Sequence, residues 1–463
     1  MMNRSGLFPR LIPLIFLGLL FSSAERAFSQ APKTPNSSAP IAQSLPAHSP
    51  PALPPTPDAT PPAPPRTEQY TLSHDRYDKA IAYSRAGYTL YFVSSFLGIV
   101  VLYLFLRLRI AARFRDIAEN FTDKKWLQGI IFTPLLVGAA DLVDLPVRLY
   151  WHSLSLRFEQ SVQGWGSWLR DWALGEVLGI GFALLLVLII FVLMRRSPRR
   201  WWFYSWLVVL PILVFFFFIT PWFIDPLFNK FEPLDVHHAD LVTAMEKVVQ
   251  RTGLNIPRER MFLMQASAKT NALNAYVTGV GASKRVVVWD TTIQKSTTDE
   301  TLFIFGHESG HYVLGHVRNF FLFFAVLLFV VFYLLFRCLH WALDRWAVDW
   351  KIVGAEDWAA FAVLMLFLQI FVFLSSPLVN GFSRMQEHEA DVFGLEVIHG
   401  IMPNSEEVAA HAFQVLGEVD LADPNPSPFI TFWLYSHPPM ADRLIFAHTY
   451  DPWARGEAPK YVK

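Results

Sequence analysis

The sequence predicts a mainly α, polytopic helical membrane protein that carries a small β-hairpin or sheet in one polar region. Three observations predict it. Of 463 residues, 53% are apolar. Six apolar runs reach the length needed to cross a bilayer. The one long polar stretch that interrupts them, 225–317, mixes helical with alternating spacing.

Taken in order, residues 1–30 combine basic Arg4 and Arg10, the short apolar core "LIPLIFLGLLF" and small residues at Ser22, Ser23 and Ala24. They read as a signal peptide, or otherwise as an N-terminal anchor, because the core is short for a span. Residues 31–69, with "PPALPPTPDATPPAPP", cannot bury a core and form an extended Pro-rich, disordered tether. Residues 70–224 hold four spans, at about 88–107, 126–147, 172–194 and 202–223. In the polar region 225–317, "DLVTAMEKVVQRTG" has the spacing of a helix ending on Gly253, and "NAYVTGVGASKRVVVWD" alternates like a hairpin turning at Ala282–Lys284. Thr297 and Glu300 then have the spacing of a capping box, so a helix starts there. Residues 318–379 form a transmembrane hairpin with spans at 318–337 and 358–379, and 380–463 a C-terminal polar part.

Charge and cysteine content exclude several chemistries. Thirty-nine basic residues balance thirty-nine acidic ones, so nothing here would hold a phosphate backbone and nucleic acid is not an expected partner. The single cysteine, Cys338, excludes an intrachain disulfide and a thiolate metal cage. Any metal is left to imidazole and carboxylate.

The stretch "FGHESGHYVLGH", Phe305–His316, offers such a set. Residues four apart in a helix differ by about 40° in azimuth, so His307 and His311 project from one face and can chelate one ion. Glu308 lies beside that face, where its carboxylate reaches a water at the metal without ligating; that is the geometry of a general base. A catalytic zinc needs a third protein ligand and an open position. "SRMQEHEADVFG", Ser383–Gly394, supplies candidates. Glu387 and Asp391 share a face, which lets Glu387 ligate while Asp391 accepts the other ring N–H of a ligand histidine. Two spans separate His311 from Glu387, an even number, so the chain returns to the side it left and the half-sites can meet. His388 and Glu389 then point elsewhere, and His316, five positions from His311, faces away from the metal as a structural residue.

With "LNAYVTG" before the metal motif, "EHEAD" after a membrane hairpin and "YSHPPMADRL" beyond it, together with "PWFIDPLFNKF" at 221–231, the chain resembles the integral-membrane zinc peptidases of the CAAX prenyl protease Ste24 type within the M48 metallopeptidases. The resemblance spans about residues 70–450. It implies a gluzincin-like HExxH zinc-peptidase domain with one Zn2+ per chain on His307, His311 and Glu387. It also implies Glu308 as the catalytic carboxylate, Asp391 as the partner of a ligand, and helices enclosing a large intramembrane chamber. Asn274 is implied to sit on an edge strand that pairs with an extended substrate, and His437 and Arg443 to contact the substrate or the oxyanion. The residues agree: Asn274 begins a strand, whose edge offers main-chain hydrogen bonds indifferent to side chains. His437 precedes two prolines that fix its loop and aim its ring, so it can donate to a developing oxyanion.

The expected activity is hydrolysis of peptide bonds in membrane-associated or secreted polypeptides, with a polypeptide substrate and the lipid bilayer as partners. Two other readings fit less well. A site-2-type intramembrane protease lacks its Asp-bearing span here, and a holdase or scaffold with structural zinc needs neither Glu308 nor an open position. Loop charge sets the side. Six basic residues between Arg107 and Lys125, four in "RRSPRR" and three from Arg337 to Lys351 face three between Leu145 and Asp171, which predicts a site on the extracytoplasmic side; the expected location is a bacterial inner membrane.

Overall fold

Unbroken apolar runs give long helices here because a backbone in lipid has only itself to hydrogen-bond. The computed structural model describes residues 70–279 and 284–462. The expected signal segment and tether lie outside the described residues, as does most of the expected hairpin turn. The helices are α1 (His74–Arg107), α2 (Ile110–Phe121), α3 (Lys125–Arg157), α4 (Trp165–Arg196) and α5 (Trp201–Ile219), which continues through a π-helical turn, Thr220–Ile224, into α6 (Asp225–Phe228). Strand β1 (Phe231–Pro233) and helix α7 (Asp235–Thr252) follow, then β2 (Met261–Met264), β3 (Ala275–Thr278), β4 (Arg285–Trp289), α8 (Asp290–Lys295) and α9 (Thr298–Val313). The chain ends with α10 (His316–Trp350), α11 (Ala360–Ile398), α12 (Ser405–Val419), α13 (Pro428–Leu434) and α14 (Met440–Thr449).

Six of these helices are long and apolar enough to cross a membrane, one for each expected span. Several outrun their apolar stretch. Pro146 does not stop α3, which runs to Arg157, and α10 continues to Trp350 through the mixed sequence "RCLHWALDRWAVDW". At 39 residues, α11 is about 58 Å long, roughly twice the thickness of the hydrocarbon layer. Its first half packs in the core of the spans, with Phe361, Leu364 and Leu366 beside Phe132, Phe191 and Phe332. Its last turns lie in a second core, where Phe393, Leu395 and Val397 meet Phe303, Phe305, Val286 and Phe413. One continuous helix thus carries residues from the membrane to the polar region.

The sheet has the order β1-β2-β4-β3. β3 and β4 are the expected antiparallel hairpin, with Thr278 opposite Arg285, whereas β2 runs parallel to β4. β3 is therefore an edge strand. Helix α7 ends as expected on Gly253, whose φ of 68° is the left-handed value that favours glycine. At the start of α9 the capping box is present: Glu300 N–H donates to Thr297 Oγ1 and Thr297 N–H to Glu300 Oε2, a motif worth about 1 kcal/mol.

Buried ion pairs tie the polar region to the spans. Lys269 Nζ lies 2.6 Å from Asp171 in α4 and also donates to the carbonyl of Phe228. At the π-helical turn, Arg285 donates to the carbonyl of Pro221 and lies 3.7 Å from Asp225. At the other end of the bundle, Arg115 of α2 is 2.5 Å from Asp357 in the α10–α11 connection, so these two basic loops share one end. Within α3, Asp144 pairs with Arg148 at 3.6 Å and accepts from Ser94, the local pairing that a charge in a span requires.

Candidate metal centre

The site forms where α9 and α11 cross almost backbone to backbone. A Cβ at Gly394 would stand 2.9 Å from the His307 nitrogen, and one at Gly306 would stand 2.7 Å from Val397 Cγ1 and 3.2 Å from the Gly394 carbonyl. Only glycine fits at either position. This contact sets the distance between the histidines of α9 and the acids of α11.

The result is a tight donor cluster. His307 Nε2 lies 3.3 Å from His311 Nε2 and 3.2 Å from Glu387 Oε2, and His311 Nε2 is 3.8 Å from Glu387 Oε1. These three residues form the single group among the described residues able to hold a metal ion. His307 Nδ1 is 2.8 Å from Asp391 Oδ1. A carboxylate only accepts, so Nδ1 carries a proton, and Nε2 presents a lone pair whenever the ring is neutral. That lone pair faces another imidazole nitrogen and a carboxylate, an arrangement that repels itself unless a proton or a metal ion lies between them. Tetrahedral bonds of about 2.0–2.1 Å separate ligand atoms by roughly 3.3–3.4 Å, which the two edges at His307 match and the His311–Glu387 edge exceeds, so the residues fit zinc after a small closure of that edge. The electrostatics agree. Burial lowers the His307 pKa, but Asp391 and Glu387 outweigh it and, without a bound cation, raise the ring to about 9; burial pushes His311 down to about 3. A pocket that draws a proton to that position attracts positive charge.

Glu308, half-buried, follows His307 on α9. Asn274 precedes edge strand β3 by one residue; its N–H donates to Thr292 Oγ1, and its carbonyl accepts from Thr292 Oγ1 and Trp289 N–H. Its backbone is thus fixed at the mouth of the strand. His437 reaches the cluster, with Nε2 3.0 Å from Glu387 Oε2 and Nδ1 2.9 Å from Ser436 Oγ.

Two expectations need correction. Arg443, expected at the substrate or oxyanion, is 4% exposed; its Nε and Nη2 grip Asp391 at 2.9 and 2.5 Å, and its guanidinium lies 4.2 Å from the Phe413 ring centre. The buried cation pairs with the aspartate that orients His307. His316 does not face away. Gly315, at φ 72° and ψ 26°, ends the helical geometry between α9 and α10, and the turn brings His316 Nδ1 to 3.0 Å from His311 Nδ1. Glu389 stands outside the donor cluster and lies 3.1 Å from His316 Nε2. His388 does point elsewhere, edge-on to Phe446. The glycine before His316 was the available signal, since azimuth arithmetic fails across a helix break.

Residues 236–450 match the family model for peptidase family M48, and residues 58–230 match the CAAX prenyl protease N-terminal domain of five membrane helices. YhfN of Bacillus subtilis, named as an uncharacterized metalloprotease, is 32% identical over 365 residues, 79% of this chain and 84% of that one. The chain belongs to peptidase family M48. Like other M48 peptidases it is a metalloprotease, and a multi-pass membrane protein. It is also similar to a CAAX prenyl protease 1 homolog of Dictyostelium discoideum (27% identity; 68% of this chain, 72% of that one) and to CAAX prenyl protease 1 of Saccharomyces cerevisiae (26%; 68% and 71%). Its fold matches the crystal structure of S. mikatae Ste24p with a TM-score of 0.70 at 22% identity, over 84% of this chain and 91% of that one. M48 membership removes the scaffold and site-2-type readings.

Proposed function

We propose that the protein is a zinc-dependent endopeptidase that cleaves membrane-associated or secreted polypeptides, with one zinc held by His307, His311 and Glu387. The observation that carries this reading is the convergence of three lone-pair donors beside Glu308. Zinc, when bound, supplies Lewis acidity toward a carbonyl and lowers the pKa of water. The edge of β3 beyond Asn274 aligns an extended substrate through main-chain hydrogen bonds. Glu308 takes the proton from the attacking water and delivers it to the amine as the C–N bond breaks, so it ends the cycle ionised. His437, whose Nε2 lies 3.0 Å from Glu387 Oε2, stabilises the developing oxyanion. Asp391 fixes the tautomer of His307, and Arg443 fixes Asp391.

The metal reading is tested on purified variants. Glu387→Ala is expected to lower zinc content well below one per chain, because two imidazoles alone hold the ion weakly. Full zinc content and activity in that variant would remove Glu387 from the ligand set.

We further propose an extracytoplasmic site in a bacterial inner membrane. The thirteen basic residues of the three basic loops favour the cytoplasm, and α5 then carries the chain to the opposite face. On that side, prenylated CAAX-type cytosolic substrates are out of reach. Cysteines introduced at exposed Lys247 and Arg199, with Cys338 replaced by Ser, can be probed on intact cells with a membrane-impermeant thiol reagent. Labelling at 247 and protection at 199 is expected. The reverse pattern would overturn this orientation and restore cytosolic substrates.

A further inference from the structure

We infer that His316 and Glu389 form a second positioning relay, which fixes the tautomer and orientation of His311 as Asp391 and Arg443 do for His307. The inference rests on the reading of His311 as a metal ligand and adds residues that the motif itself does not contain. His316 is 3% exposed and sits at the start of α10, where Gln386 Nε2 lies 3.4 Å from its carbonyl. Its two ring nitrogens face different partners: Nε2 is 3.1 Å from Glu389 Oε2, and Nδ1 is 3.0 Å from His311 Nδ1. Proton positions follow from the end of the chain. Glu389 as a carboxylate only accepts, so His316 carries its proton on Nε2 and donates it to Glu389. Nδ1 of His316 is then a lone pair, and it accepts from His311 Nδ1–H. His311 must in turn leave Nε2 bare, and Nε2 is the atom that faces His307 and Glu387 in the cluster. Were His316 the opposite tautomer, its Nδ1–H would point at His311 Nδ1 and move the His311 proton to Nε2, against the metal. The relay therefore selects the one ring form that ligates.

Two features make this an arrangement the fold builds and not a chance contact. The left-handed Gly315 directs His316 back toward the α9 face, and Glu389 comes from the same turn of α11 that supplies Glu387 and Asp391. That turn therefore holds both ends: Asp391 reaches one histidine directly, and Glu389 reaches the other through His316. Partners of this kind typically alter metal affinity by about 10–100-fold when lost.

The test uses full-length protein in detergent, with zinc affinity measured by chelator competition and the visible spectrum of the cobalt(II)-substituted protein as a readout independent of turnover. His316→Phe keeps the ring but removes the acceptor, and is expected to weaken zinc binding about 10–100-fold and to shift the cobalt bands. His316→Asn places an oxygen near the position of Nδ1 and is expected to recover most of that loss. Glu389→Gln, at a partly exposed position that does not threaten folding, is expected to give a smaller loss of the same kind. Adding it to His316→Phe is expected to give no further loss, since the two act in series. Peptide KM is expected to stay unchanged in all three while kcat falls. His311→Ala is the reference. If it weakens zinc binding and His316→Phe does not, or if Asn is no better than Phe, the relay is wrong and the ligand set stands. If His311→Ala itself leaves zinc affinity intact, the ligand reading fails and the relay with it.

Discussion

Glu308→Gln is expected to retain zinc at the wild-type level and to lower kcat/KM by on the order of 10²–10⁴-fold. The substitution keeps the size of the side chain and removes only its capacity to take a proton. Glu308 lies on α9 next to His307, yet the contacts that hold the ligands run through other residues: Asp391 to His307, His316 to His311, and His437 to Glu387. The ligand cluster should therefore be unmoved. Two measurements on one preparation decide it, metal content and turnover of an unstructured polypeptide. A variant that keeps more than a tenth of the activity would show that another group accepts the proton. One that loses zinc would make Glu308 part of the ligand set.

Much of the architecture was legible because the strongest signals are local. Apolar length gives the six spans, Thr297 and Glu300 give the start of α9, and Gly253 gives the end of α7. The spacing of His307, His311, Glu387 and Asp391 needs only helical periodicity, and each lies on the face expected. What could not be read depends on contacts between distant segments. β1 and β2 are three and four residues long, too short for alternation to show, so the parallel pairing of β2 with β4 had no sequence signal. Arg443 finds Asp391 across fifty-two positions, and nothing in "YSHPPMADRL" says whether its arginine turns toward a substrate or into the core. Helical periodicity does not reach His316 because Gly315 breaks the helix, and the residue after the break, not the face before it, completes the surroundings of His311.

The correction at Arg443 leads to an expected result of comparable size. Asp391 is fully buried and accepts from His307 Nδ1, so its negative charge relies on Arg443 for compensation. Arg443→Met removes the cation while preserving much of the stem that packs on Phe413. It leaves a buried carboxylate short of its counter-charge, a change that costs about 3–5 kcal/mol in comparable pairs. The metal-free protein in detergent is expected to melt several degrees lower, and zinc to bind more weakly because Asp391 no longer holds His307 firmly. Asp391→Asn combined with Arg443→Met should recover a substantial part of the stability, since the pocket is then neutral and the Asn oxygen still accepts from His307 Nδ1. Were Arg443 instead a substrate contact, Arg443→Met would raise KM and leave the melting temperature and zinc affinity unchanged, and the second substitution would rescue nothing. Melting curves of the two variants with and without zinc, set beside their KM values, separate a side chain that holds the metal centre together from one that greets the peptide.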